Sequence, residues 1–147
     1  MQVIDYDMPY DQFVEIFDGV HAEWVDGIVY QLPKRTPIHD ATQAILHDLF
    51  HHYLERIQNG QCLSATALLK STGNGSARCP DLQVLIGDNI HLQHGREVIG
   101  APDLVVEIIS DESHVLERGE KFVEYERGGI HEYWIIDPIR EECLFYV

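Results

Sequence analysis

Three short runs constrain the fold of this chain more than any other feature. Asp81 to Ile86, Leu104 to Ile109 and Glu132 to Ile136 are largely apolar, and the middle run is nearly all β-branched or Leu. Such runs suit central strands of a sheet covered on both faces. The sequence also supplies the covers. From His39 to about Ile57 the apolar positions Ile45, Leu46, Leu49, Phe50, Tyr53, Leu54 and Ile57 recur at helical spacing, ahead of the stop Asn59-Gly60. Asp111 to about Arg127 reads as a second long helix, ended by Gly128-Gly129. Upstream, a short acidic helix over Tyr10 to Phe17 precedes Glu23-Trp24-Val25 and Ile28-Val29-Tyr30, which flank Asp26-Gly27 and predict a tight hairpin. One more strand is predicted over Cys62 to Leu69, and a last one over Cys143 to Val147 after the turn Asp137-Pro138. The order after the hairpin is αβββαβ. It implies an α/β (α+β) fold with a mixed central sheet, an N-terminal β-hairpin and flanking helices.

With 147 residues, 45% of them apolar, the chain has mass for one core, and a single domain over residues 1–147 is expected. Ten Lys and Arg against 25 Asp and Glu leave a net charge of −15, so the average surface repels phosphate polymers and anionic membranes. Any nucleic acid must be held locally. Cys62, Cys79 and Cys143 form no CxxC and suggest reduced thiols. With no apolar stretch of membrane-spanning length and an acidic start, a cytoplasmic location and no membrane partner are expected. The chain stops inside an apolar strand, Leu144-Phe145-Tyr146-Val147, which implies either a homodimer or a C-terminal truncation.

A Pro-Asp pair heads two of the runs, Pro80-Asp81-Leu82 and Pro102-Asp103-Leu104. Asp103 and Glu107 share a strand face, yet four residues in extended chain separate their Cα atoms by about 13 Å, too far to clamp one ion. If the Asp81 and Leu104 strands pair antiparallel, Asp81 comes beside Glu107 and Asp103 lies at the far end. Two close, half-buried carboxylates repel unless one is protonated or a cation sits between them, and hard oxygen ligands favour Mg²⁺ or Mn²⁺. Glu107, inside Val105-Val106-Glu107-Ile108-Ile109, therefore reads either as a metal ligand or as half of a buried ion pair to an arginine. Lys121, early in the second helix, reads either as an amine near the site or as the surface partner of Glu117. Asp103 reads as a strand cap more readily than as a site residue.

His39, His47 and His51 form a stripe along the first long helix, but His47-Asp48-Leu49-Phe50-His51 lacks the glutamate of an HExxH zinc site. His39, at the mouth of the helix, remains an accessory candidate. No GxSxG, phosphate-loop or GxGxxG pattern occurs, and Trp24, Trp134, Tyr133 and Phe122 fit core positions.

The run Pro102-Asp103-Leu104-Val105-Val106-Glu107-Ile108-Ile109-Ser110, then Gly119-Glu120-Lys121, Tyr125, Gly128-Gly129-Ile130 and Glu132-Tyr133-Trp134-Ile135-Ile136-Asp137-Pro138, resembles the Uma-type putative restriction endonuclease family, a branch of the PD-(D/E)xK nucleases. Trp24-Val25-Asp26-Gly27, Pro37-Ile38-His39 and Pro80-Asp81 agree with it. The resemblance implies a restriction-endonuclease-like αβββαβ core and Mg²⁺-dependent hydrolysis of DNA, with Mn²⁺ able to substitute. By that resemblance Asp81 and Glu107 bind metal, and Ile109 stands where a lysine is usual. Lys121 takes over as the migrated lysine. Glu23, His39 and Asp103 are accessory candidates. The usual basic residues after Ser110 are missing, so DNA contacts would rest on Lys34, Arg35, Lys70, Arg78 and Arg118. The competing function is a catalytically inactive, dimeric interaction module on the same fold.

Overall fold

The computed structural model describes residues 1–71, 75–110 and 115–147, and of residues 115–118 the backbone alone. An N-terminal strand β1 (Gln2–Asp5) and a short helix α1 (Tyr10–Ile16) lead into the hairpin β2 (Ala22–Val25) and β3 (Ile28–Gln31). Asp26 and Gly27 both take positive φ, +48° and +88°, which is the geometry a two-residue turn between twisted strands requires. Helix α2 (Pro37–Ile57) follows. It starts earlier than its apolar spacing indicates, because Thr36 caps the His39 N–H and Pro37 occupies the first turn.

Next come β4 (Gly60–Ser64), β5 (Leu68–Lys70), β6 (Ser76–Ala77) and β7 (Leu82–Ile86). The single strand expected over Cys62 to Leu69 is thus two. A turn in which Ala67 N–H donates to Ser64 O, 3.0 Å, separates β4 from β5, and the two pair in different sheets. Gly60 opens β4 for a steric reason: a Cβ there would stand 2.6 Å from Leu54 Cδ2 and 2.8 Å from Leu85 O. After a 3-10 turn (Gly87–Leu92) come β8 (Gln93–His94), β9 (Glu97–Ile99) and β10 (Leu104–Ile108), then helix α3 (Val115–Arg127), β11 (Glu132–Asp137) and β12 (Glu142–Tyr146). The expected helix start over residues 111–114 lies outside the described residues.

The central sheet has the order β12-β11-β10-β7-β4, with β10 parallel to β11 and the other pairs antiparallel. Its αβββαβ path runs α2, β4, β7, β10, α3, β11, as the sequence indicates. Leu104, Val106 and Ile108 turn to the α2 side with Leu82, Val84 and Leu54. Val105 and Ile109 turn to the α3 side with Leu85, Tyr125, Tyr133 and Ile135. Burial of each such side chain contributes about 1.5–3 kcal/mol. By the same alternation Glu107 faces α3. A smaller sheet, β1-β3-β2-β6, packs Phe13, Ala22, Val29 and Ala77 into a second core and brings β2 beside the end of β7. No helix among the described residues is long and apolar enough to cross a membrane.

Candidate active site

The antiparallel register Leu82↔Val106 sets Asp81 opposite Glu107 when it is extended by one residue. Asp81 Oδ2 accepts the Ile108 N–H at 2.7 Å, so the carboxylate closes the ladder at the mouth of β7. Its other oxygen, Oδ1, stands 3.1 Å from His39 Nε2 and 3.9 Å from Arg35 Nε. Arg35 is held from two sides: Nη1 donates to Gln43 Oε1 at 3.1 Å, and Nη2 lies 3.1 Å from His21 Nε2. Burial, and then the Arg35 charge, lower the pKa of His21, so its neutral ring can accept from the guanidinium. Gln43 also donates to the Asp81 carbonyl at 2.7 Å, tying the first turns of α2 to the strand.

On the α3 side, Lys121 Nζ bridges two carboxylates, 3.0 Å from Glu107 Oε1 and 2.8 Å from Glu23 Oε1. Tyr125 donates its hydroxyl to the same Glu107 oxygen at 2.7 Å. The other Glu107 oxygen has no donor among the described residues. Glu23 is wholly buried and also accepts from Arg78 Nη1 at 3.0 Å and from the Cys79 N–H at 3.2 Å. Arg78 continues the chain of charges with a two-pronged contact to Glu124, onto which Ser76 Oγ also donates at 3.0 Å. A buried charge persists only when it is paired and hydrogen-bonded, and this network meets that condition link by link.

The titration of the three central groups follows from their neighbours. Burial pushes the Glu23 carboxyl up, but the attraction of Lys121 and then Arg78 outweighs it and holds the group down at about 2. For Glu107 burial wins: Lys121 pulls down, the Asp81 and Glu23 charges push up, and the carboxyl rises to about 7. Burial lowers the Lys121 pKa, yet Glu107 and Glu23 together more than reverse that, and the amine stays protonated. Glu107 is therefore the member of the cluster that a nearby cation would keep ionised at neutral pH. Burial pushes the Cys79 thiol, on the same cavity wall, up to about 12, which disqualifies it as a nucleophile.

Asp81, Glu107, Lys121, His39 and Arg35 line one cavity of about 80 Å³, with the edges of Ile108, Ile109 and Ser110. The structure thus brings together Asp81, Glu107, Lys121, His39 and Glu23. Asp103 is elsewhere: at the opposite end of β10 it accepts the Ile86 N–H at 2.6 Å and Asn89 Nδ2 at 2.9 Å, which is the capping role. Glu107 pairs with a lysine, not an arginine. Whether Lys121 also meets Glu117 lies outside the described side chains. Arg78, expected among the DNA contacts, is 3% exposed and enclosed by the buried Glu23 and the half-buried Glu124, because a guanidinium clamped between these two carboxylates cannot also face solvent. Lys70 lies over the rings of Tyr10 and Trp24, 4.4 and 4.5 Å from their centroids. His47 and His51 stack on the exposed side of α2, where His51 meets Glu55 at 3.3 Å. No group of three metal-ligating side chains occurs among the described residues.

Sequence reasoning named Arg35 only as a DNA contact, not as a neighbour of Asp81, and missed Gln43 and the role of Tyr125. Glu23, an accessory candidate from the sequence, is a lone acid inside the strand Ala22-Glu23-Trp24-Val25.

The model of one family, Uma2, described as putative restriction endonuclease, matches residues 9–147. The chain belongs to the Uma2 family. A search of curated proteins finds no match. Among solved structures, the fold is similar to that of a putative nuclease belonging to DUF820 from Anabaena variabilis. That similarity has a TM-score of 0.72 at 20% identity, over 85% of this chain and 70% of the other. The Uma2 chain accordingly has a restriction-endonuclease-like fold, and its acidic cavity lies where β7 and β10 of that fold meet.

Proposed function

We propose that the chain is a Mg²⁺-dependent endodeoxyribonuclease whose metal ligands are Asp81 and Glu107 and whose amine is Lys121. The observation that carries this reading is the pairing of two strand-end carboxylates in one cavity with a buried ammonium 3.0 Å from one of them. Family membership and the nuclease-like fold support it. The donor set suits the ion. Both ligands are hard oxygens, one Glu107 oxygen lacks a donor among the described residues, and Asp81 Oδ1 has ion-pair neighbours only. Mg²⁺ typically takes one or two carboxylates and fills its other positions with water and substrate phosphate. Mn²⁺ has the same preferences. A bound ion held by Asp81 and Glu107 would supply positive charge beside the phosphate under attack and lower the pKa of an attacking water.

The chain's own groups have separate tasks. Lys121, fixed by Glu23 and Glu107, aims a permanent positive charge at the non-bridging phosphate oxygens. Tyr125 holds the same Glu107 oxygen that Lys121 contacts, so the other oxygen is left to a bound ion. His39 and Arg35 orient Asp81, and Ile108 N–H fixes its second oxygen. A soluble, cytoplasmic homodimer is the setting we propose. Strand β12 is the edge of the central sheet, and its exposed Phe145 joins Trp134 and Phe50 in a run of ring contacts toward the exposed Leu49 and Tyr53 of α2. A second copy would cover that apolar face in a two-fold pairing.

Plasmid cleavage in Mg²⁺ or Mn²⁺ tests the reading, with the parent beside Asp81→Ala and Glu107→Ala. Nicking by the parent and none by the variants is expected. Equal cleavage by all three removes the assignment. The alternative, an inactive interaction module, requires no Mn²⁺ binding by calorimetry and no metal-dependent rise in Tm.

A further inference from the structure

A second cavity, of about 350 Å³, opens beside the first and shares His21, Pro33 and Arg35 with it. Its other walls include Lys34, Arg96, Asp40 and Thr66. The chain has ten Lys and Arg and a net charge of −15, yet three of those ten line this one hollow. Their partners differ. Arg96 is anchored, with Nε and Nη2 donating to Thr66 O at 3.1 and 2.9 Å and Nη1 on Asp18. Arg35 sits at the seam between the two cavities, and its buried Nε has no hydrogen-bond partner among the described residues. Lys34 is exposed and has no carboxylate partner among the described residues. Asp40 is the acid of the lining, and His39 Nδ1 stands 3.7 Å from its carboxylate.

We propose that this cavity receives one unpaired nucleotide of the strand being cut, the one adjoining the scissile phosphate, with its phosphate between Lys34 and Arg35. The inference rests on the nuclease reading and narrows its substrate to nucleic acid that is single-stranded at that point. A volume of that size belongs to the roughly 300–1,000 Å³ class of small-ligand pockets, which admits a nucleotide and excludes a duplex. Electrostatics require the contact to be local, because elsewhere the acidic surface repels a polyanion. Arg35, shared by both hollows, gives the strand a continuous path from the cluster of Asp81 and Glu107 into the basic one.

The test is the anisotropy of a short labelled oligodeoxynucleotide, single-stranded or annealed, titrated with the parent, Lys34→Glu, Lys34→Arg and Arg56→Glu in Ca²⁺. Lys34 and Arg56 are both exposed, so neither reversal threatens folding, and Arg56→Glu makes the same charge change at the end of α2. The expected result is tighter binding of the single strand than of the duplex and about tenfold weaker binding by Lys34→Glu. The slope of log affinity against log salt should be shallower by about 0.7, the contribution of one phosphate contact. Lys34→Arg should restore both, and Arg56→Glu should change affinity less than about twofold. Equal effects of the two reversals, equal affinity for duplex and single strand, or no binding of either would overturn the proposal. Cleavage separates the two readings. A parent that cuts while Lys34→Glu binds and cuts identically keeps the nuclease and loses the cavity, whereas a parent that binds with the expected Lys34 dependence but never cuts loses the nuclease and leaves the cavity as a nucleic-acid site.

Discussion

Lys121 Nζ lies 2.8 Å from Glu23 Oε1, joining helix α3 to the N-terminal hairpin across almost one hundred residues of chain. The contact makes the small sheet part of the site, because the ammonium that serves Glu107 is held in place from β2. Replacing Lys121 with Met removes the cation between Glu23 and Glu107 and leaves Glu23 with Arg78 as its counter-charge. Cleavage should fall on the order of 10²–10³-fold, the usual loss when one preorganised charge is removed. Mn²⁺ binding by calorimetry should persist, since the carboxylates remain. Loss of metal binding with cleavage intact would contradict the assignment.

Glu107→Gln should stabilise the metal-free protein at pH 8. The folded carboxyl is raised from 4.5 to about 7, so its favourable contribution is complete below pH 4.5 and lost as pH rises through 7. Above that window the variant should gain on the order of 2–3 kcal/mol, read as a Tm several degrees higher than the parent's, and the difference should vanish near pH 4. Saturating Mg²⁺ should shrink or reverse the gain by stabilising the ionised parent.

Glu23→Gln should act in the opposite sense. The parent carboxyl is held at about 2, so its stabilisation is present above pH 4.5 and lost as pH falls through 2. Urea unfolding at pH 7 should show a loss of about 3 kcal/mol, because Lys121 and Arg78 lose a shared counter-charge inside the fold. A loss of a few tenths would mean the network does little for stability.

Asp103→Asn separates capping from chemistry. Removing the charge from the acceptor of Ile86 N–H and Asn89 Nδ2 should destabilise by about 1–2 kcal/mol in urea. Plasmid cleavage per folded molecule should be unchanged.

The central sheet was legible because its strands are buried on both faces and so read as apolar runs, and because Asp26-Gly27 admits few conformations other than a tight turn. The placement of Asp81 beside Glu107 followed from antiparallel pairing and strand rise alone. What could not be read were the partners of the site residues. Arg35 and Gln43 lie in a loop and on a helix whose relation to β7 is set by packing, and Arg78 looked like any basic residue until Glu23 and Glu124 closed on it. The small sheets were also hidden: β5, β6, β8 and β9 are two or three residues long, too short for period-two alternation to register.

The most direct measurement is the anomalous scattering of crystals of this chain soaked in Mn²⁺. A peak in contact with the carboxylate oxygens of both Asp81 and Glu107 is expected, as is its disappearance in Asp81→Ala crystals. A map with no peak at that cavity, or with manganese only on the exposed histidines of α2, would contradict it.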